Sequence, residues 1–515
     1  MMTDEAYYLD WARRTTFPDI GFFDHPPFVS WQAVAGRYVH NIWFARLGVL
    51  IASLLSFYIN WRTAFEVWGS RTRAWTAAVI AQLTIGGIAN SFLLTPDSGL
   101  ALFWSLGLHE GVVALTRSPK RWLTAGLVTG LGLLSKYTMV LIGPVFLIGL
   151  VLENRKQLRT AWPYLGGVIA LLVFLPNIWW NSQNRWATIN FQFNHGFSVG
   201  EHLATGSSLP HAEGSATGSS TMNLYQGLQA AMGAVAGFEE TKHKIHTEKS
   251  FLKKAWQYIG DYLGGVAGLW GFFLVALVLT WRPFLHHAGE LAKTVGPPGT
   301  LFLRAAFFWP LGFFLVLSPF SKIEANWPAM HIASAAILLA GTWNPSRKVI
   351  MWIFAGHFSA AAMLIVMVGY PHIAPAARDN RLIVEAAGYD QLAEILPFHL
   401  GDKPLAVDSY QLKSALASRL PMLSTAQWPG ITRPSEYTRG ASDDLGAETV
   451  LLNAEQFYLL TFEDIPPELP GRHAVFLEGI RSCPDGRIAF YSTENPVLPC
   501  VHGLKDWWLV RYKKI

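Results

Sequence analysis

Asp4 and Glu5 stand together near the start of the chain, and Asp10, Asp19 and the run Asp24-His25-Pro26-Pro27 follow within a few turns. Further on, Asp97 sits in "LLTPDSGL", Lys136 interrupts "GLLSKYTMV", His195 closes "NFQFNH" and Lys322 falls in "SKIEANWP". A carboxylate placed beside a hydroxyl nucleophile can act as a general base. An acid and an imidazole together can hold a divalent metal. Lysine and arginine can neutralise a phosphate. Each residue also has a plain reading. Asp10 and Asp19 suit the solvated face of a surface helix, and Asp97 suits a helix N-cap. Asp24-His25 before two prolines suits a turn, and His195 suits an ordinary interfacial position. The pattern that asks for chemistry is collective, because several loops present acid or imidazole groups at one membrane depth.

The elements that must position these groups are membrane helices. Hydrophobic residues make up 51% of the chain and charged ones only 15%, against roughly 25% charged in a typical soluble domain. Mean hydropathy is positive. Apolar stretches long enough to approach the ~17–25 residues of a spanning helix occur near 42–60, 74–94, 98–116, 122–135, 137–152, 161–177, 260–280, 301–318, 327–342 and 348–370. The polar Ser135-Lys136 predicts a break between the fourth and fifth. The basic loops around Arg62–Arg73, Arg117–Arg121, Arg155–Arg159, "WRPFLHHAGELAKT" and "NPSRK" all fall on one side of this arrangement, the cytoplasmic side by the positive-inside rule. The acidic opening, Asp97, Lys136, the loop 178–259, Lys322 and the tail then face outward. Met1 would lie outside with no helix before it, so the expectation is either a preceding helix or an N-terminus that is itself carried across.

Three parts follow: an outward juxtamembrane segment with the acidic motif (1–41), a membrane domain (42–370) that carries the outward loop 178–259, and a soluble outward domain (371–515). The middle of the loop is Gly/Ser-rich, and "EETKHKIHTEKSFLKKA" after it predicts a polar surface helix. In the tail, "PLAVDS", "TVLLN", "HAVFLEGI" and "RIAFYST" read as strands, while "DQLAEIL" and "SYQLKSALASRL" read as helices, giving a small α/β domain. The two cysteines, Cys483 and Cys500, both lie there. An outward, oxidising location permits a disulfide, though spacing alone does not fix its geometry. The net charge of +5 gives no sign of nucleic-acid binding.

The ordered set "DEAYYLDWARR", "GFFDHPPFVSW", "RLGVL", "LLTPDSGLALFW", "GLVTGLGLLSKYTMVLI", "LPNIWWNSQNRW", "FQFNH" and "SKIEANWPA" resembles the GT-C glycosyltransferases. More narrowly, it resembles the bacterial family 39-like branch, which includes relatives of protein O-mannosyltransferases and of the lipid A aminoarabinose transferase. The resemblance runs from Asp4 to about Tyr370 and extends weakly into the tail through "DSYQLKSALASRLP" and "RPSEY". It implies a polytopic α-helical membrane protein with the GT-C fold, about 10–11 transmembrane helices and a C-terminal periplasmic α/β domain, placed in the bacterial inner membrane. It implies transfer of a sugar from a polyprenyl-phosphate donor to a lipid A or lipopolysaccharide, surface-glycan or protein acceptor.

By the same resemblance, Asp4 matches the catalytic aspartate and Glu5 completes its acidic pair, with Asp97 a further catalytic candidate. The related "YFEKP"-like motif carries a lysine where this chain has His25, so His25, Lys136, Lys322 and Arg46 share the expected phosphate-binding role. Asp24 and His195 match positions that bind a divalent metal in the aminoarabinose transferase, so zinc, manganese or magnesium is expected there. His202, His211, His243 and His246, in the polar loop, are read as loop residues. The rival expectation is a transporter or flippase for a lipid-linked sugar. It predicts functional charge near the bilayer midplane and inverted repeats, and the sequence shows no convincing repeat.

Overall fold

The computed structural model describes residues 2–14, 20–39, 42–196, 244–279, 296–343, 345–369, 387–420, 423, 425–428, 431–438, 451, 453–483, 485–492, 498–500 and 503–515. All ten apolar stretches are helical. Four of the helices are individually long and apolar enough to cross a membrane: Leu47–Trp68, Pro96–Thr116, Trp162–Gln183 and Thr300–Leu317. They occupy different depths in the bundle. Pro96–Thr116 is the central helix, with 78% of its apolar window buried, whereas Trp162–Gln183 buries only 11% and turns Leu171, Leu172 and Leu175 outward.

Local chemistry sets the boundaries. Gly69 ends Leu47–Trp68 in a left-handed conformation (φ 62°), and the Ser70 hydroxyl caps Arg71–Leu83 by accepting from the Arg73 N–H at 3.4 Å. The stretch expected as one span at 74–94 is two helices, Arg71–Leu83 and Ile85–Phe92. Thr84 separates them because its hydroxyl accepts from the Gly87 N–H at 3.0 Å and starts the second helix. The break at Lys136 is present: Lys136 is extended (φ −154°, ψ 135°) between Trp122–Leu133 and the 3-10 turn Tyr137–Leu141. The polar helix expected before 260 and the start of the next span are one helix, Lys244–Trp270. It bends by 87° at Gly271, whose φ of 54° suits glycine, into Phe272–Leu279. The Gly/Ser-rich segment and its histidines lie outside the described residues.

The bundle has two chemically distinct ends. At one end Arg117 pairs with Glu66 at 2.5 Å and Arg121 with Glu110 at 2.7 Å. Beside them the Glu153 carboxylate accepts from the Leu301 N–H at 2.7 Å. At the other end of Pro96–Thr116 lies Asp97, and Thr3–Arg14 and Phe28–Gln32 cover that end.

The C-terminal domain docks on the acidic end. Its sheet has six strands: β1 (Leu405–Val407), β2 (Thr425–Gln427), β3 (Gln456–Thr461), β4 (Arg472–Ser482), β5 (Ile488–Ser492) and β6 (Lys505–Lys514), in the order β2-β1-β3-β6-β4-β5. β1 runs parallel to β2 and β3, and the other pairs are antiparallel. Alternation sorts the side chains: Leu405 and Val407 pack under the helices Tyr389–Leu400 and Tyr410–Arg419, and Ala406 packs on the opposite face with Phe457 and Tyr512. "TVLLN" is not a strand, since Leu451 and Asn453 are helical; β3 begins just after it, and β2 and β6 are additions to the expected set. Cys483 and Cys500 form a disulfide that ties the end of β4 to the approach to β6.

Candidate active site at the acidic end

Thr3–Arg14 is amphipathic, and its buried face carries Tyr7, Tyr8 and Trp11. These rings form one aromatic core with Phe22 of the juxtamembrane segment and with Tyr410 and Tyr437 of the C-terminal domain. Trp11 stacks on Phe22 at 4.2 Å between centroids, and Tyr7 lies 4.7 Å from Tyr410. The acids are therefore held on a rigid apolar platform shared by two domains.

Two of the expected site residues are consumed within the scaffold. Glu5 is buried and forms a bidentate pair with Arg46, with both N–H···O distances 2.7 Å; it also accepts from the Leu94 N–H at 3.1 Å. Glu5 and Arg46, expected in catalysis and phosphate binding, are thus paired with each other, and each neutralises the other. Asp97 is likewise not a helix cap. Thr95 occupies that position, and Asp97 instead accepts from Lys136 Nζ at 2.7 Å and from Asn326 Nδ2 at 2.8 Å. Lys136, expected to hold phosphate, is therefore paired with Asp97 here. Lys322 differs. It is exposed at the rim, 3.8 Å from Glu324.

Asp4 and Asp24 are met from the C-terminal domain. The Tyr410 hydroxyl donates to Asp4 Oδ1 at 3.0 Å, and Asp4 remains half-buried. Asp24 is buried and accepts from Arg433 Nη1 at 3.1 Å. The Arg433 guanidinium lies 4.2 Å over the Tyr410 ring and 4.9 Å over Phe191, so one side chain joins both acids' surroundings. Glu436 completes the seam: its carboxylate accepts from the Phe23 N–H at 2.7 Å, and its own N–H donates to the Tyr7 hydroxyl at 2.7 Å.

Electrostatics tie these groups together. Burial raises the Tyr8 hydroxyl well above its usual value, and the charges of Asp4, Asp24 and Asp97 push it the same way. Burial lifts Asp24 to about 6 despite the opposing pull of Arg433. Burial opposes the charge on Arg433, but Asp24 and then Tyr410 hold it above its ordinary value, so it stays cationic.

His25 is half-buried, with its ring 6.1 Å from Tyr8 and its Nδ1 3.4 Å from Gln192 Nε2. His195 lies on the helix Ala187–Gly196, and its side chain is outside the described residues. A metal at Asp24 would face the guanidinium already seated there, which does not favour a second cation. Among the described residues no three His, Cys, Asp or Glu side chains gather into a metal cluster. The expected metal is therefore carried into no step below.

The sequence reading left Tyr410, Arg433 and Glu436 unassigned. The signal for them was faint but real, since they fall in "DSYQLKSALASRLP" and "RPSEY".

Residues 24–180 match the family model described as dolichyl-phosphate-mannose-protein mannosyltransferase. Over its full length the chain superposes on ArnT from Cupriavidus metallidurans bound to undecaprenyl phosphate, with a TM-score of 0.56 at 13% identity, covering 98% of this chain and 93% of that one. The apo form of the same protein gives 0.54 at 14% identity. These likenesses to solved structures are likenesses of fold. A lipid A galacturonosyltransferase, RgtD from Rhizobium johnstonii, is 28% identical over 192 residues. That match spans 36% of this chain and 39% of the relative's length. Apolar helices and these likenesses make the protein an integral membrane one.

Proposed function

We propose that this protein is a glycosyltransferase that moves a sugar from a polyprenyl-phosphate carrier to a hydroxyl acceptor of the lipid A or lipopolysaccharide class, on the periplasmic side of the inner membrane. One observation carries the reading: Asp4 and Asp24 are met by Tyr410 and Arg433 of the C-terminal domain at the end of the bundle where Asp97 opens the central helix. The ArnT neighbour, which binds undecaprenyl phosphate, and the lipid A-acting relative supply the donor and acceptor classes.

Asp4 takes the acceptor's proton, since of the four acids it is the half-buried one, whereas Glu5, Asp24 and Asp97 are buried. The acceptor oxygen then bonds to the sugar's anomeric carbon while the bond from that carbon to the phosphate oxygen breaks. The polyprenyl phosphate departs with its electron pair and needs charge neutralisation more than a proton. Arg433 and Lys322 are cations on this face not buried in a pair within the membrane domain. His25 contributes only as far as it is protonated.

The test is reconstitution of the purified protein in liposomes with a radiolabelled undecaprenyl-phosphate sugar and lipid A. Label appearing in lipid A supports the transferase. Donor sugar crossing the bilayer without any transfer would replace it with the transporter reading.

A further inference from the structure

Below the acidic end, the membrane domain contains a cleft of unusual composition. It lies between Leu47–Trp68, Ile85–Phe92, Pro96–Thr116 and the start of His331–Thr342. Ser56, Asn60, Gln82, Asn90, Trp104 and Ser105 are among its polar lining, and none of its lining residues is charged. The cleft holds about 500 Å³ of space, its opening to solvent included.

Polar groups at this depth are costly to hold, and here two of them are unmatched. Asn60 Oδ1 and Trp104 Nε1 are buried without a hydrogen-bond partner, one an acceptor and the other a donor. Others are already spent: Gln82 Nε2 donates to Ser53 at 2.7 Å, and Ser98 donates to Gln32 at 3.0 Å. Ser98, which lines the cleft, directly follows Asp97, so the cleft begins beside the acids.

We propose that this cleft receives the donor's sugar ring, and that the ring is uncharged. The inference rests on the transferase reading above and narrows its substrate. Neutral amides, hydroxyls and an indole N–H recognise a neutral polyol. A uronic acid would bring a carboxylate needing a cation, and an amino sugar an ammonium needing an anion. Asp97, next to the lining residue Ser98 in the chain, is neutralised by Lys136. In this the protein departs from the galacturonosyl specificity named for its relative.

The experiment uses the full-length protein in liposomes. It compares bare undecaprenyl phosphate with the same carrier bearing galactose, glucose, galacturonic acid or 4-amino-4-deoxyarabinose, in wild type and in Trp104→Phe and Asn60→Leu, measuring binding and transfer. Wild type should prefer the neutral-sugar donors at least tenfold. Each variant should weaken neutral-sugar donors about tenfold while binding bare undecaprenyl phosphate as before. Preference for a charged sugar, equal weakening of the bare carrier, or no effect of either variant on the neutral donors would overturn the inference and leave the transferase intact. Wild-type protein that transfers none of the four sugars would instead overturn the transferase reading on which the inference stands.

Discussion

Glu5 and Asp97 on one side, and Asp4 and Asp24 on the other, are carboxylates of one site held in opposite ways. Glu5 and Asp97 are closed within the membrane domain and its juxtamembrane helix, each bound to its own buried cation, Arg46 or Lys136. Asp4 and Asp24 lie at a seam, and their partners Tyr410 and Arg433 arrive from a separate domain about 400 residues later. A charge sealed with its counterion is inert and shapes the site. A charge at a seam has a state that depends on how the second domain sits, and the half-buried Asp4 there also keeps access to substrate. The site is built by spending two acids on rigidity so that the others can be placed.

The largest effect should come from unsealing. Glu5→Gln keeps the shape but leaves Arg46 charged and buried, which costs about 3–5 kcal/mol. Thermal unfolding in detergent should show it, and Arg46→Met in the same chain should recover much of the loss. Full stability of Glu5→Gln alone would break the distinction between sealed and seam acids. Asp97→Asn should follow at about 1–3 kcal/mol. A helix cap would tolerate asparagine, so a measurable loss that Lys136→Met partly rescues distinguishes the ion pair from a cap.

Asp24 gives a smaller, pH-dependent effect. Its folded pKa of about 6 lies above the ordinary carboxylate value, so the folded state binds the extra proton. Its contribution is fully present below about pH 4 and is lost as pH rises through about 6, on the order of 3 kcal/mol. Asp24→Asn should flatten that part of the stability–pH curve, and an unchanged slope would show that Asp24 is not the titrating group. The smallest effect belongs to Lys322→Ala. An exposed bridge of 3.8 Å to Glu324 is worth about 0–1 kcal/mol, so the melting temperature should hardly move; any activity change there reports on substrate and not on folding.

What the sequence made legible divides along the same line. Membrane helices are written locally, in runs of apolar residues, and the ten stretches and the break at Lys136 all have counterparts in the fold. Thr84 was the subtler case: a single threonine in an apolar run can continue a helix or cap a new one, and only its bond to the Gly87 N–H decides. The acids were visible as types, but their partners were not. Nothing near Glu5 in the chain names Arg46, and nothing near Asp24 names Arg433, because those choices are made by packing between distant segments. Arg46 and Lys136 therefore looked like free cations when they are counterions, and the tail looked chemically silent when its Tyr410 touches Asp4.

The central claim is that Asp4 is the base. The most direct measurement is single-turnover transfer by Asp4→Asn from an undecaprenyl-phosphate sugar, alongside its melting temperature. General-base assistance is typically worth about 10²–10⁴ in rate, so transfer should fall by that factor while the protein melts where wild type does, since Asn can still accept from Tyr410. Wild-type transfer by Asp4→Asn would contradict the account and remove the base from its mechanism.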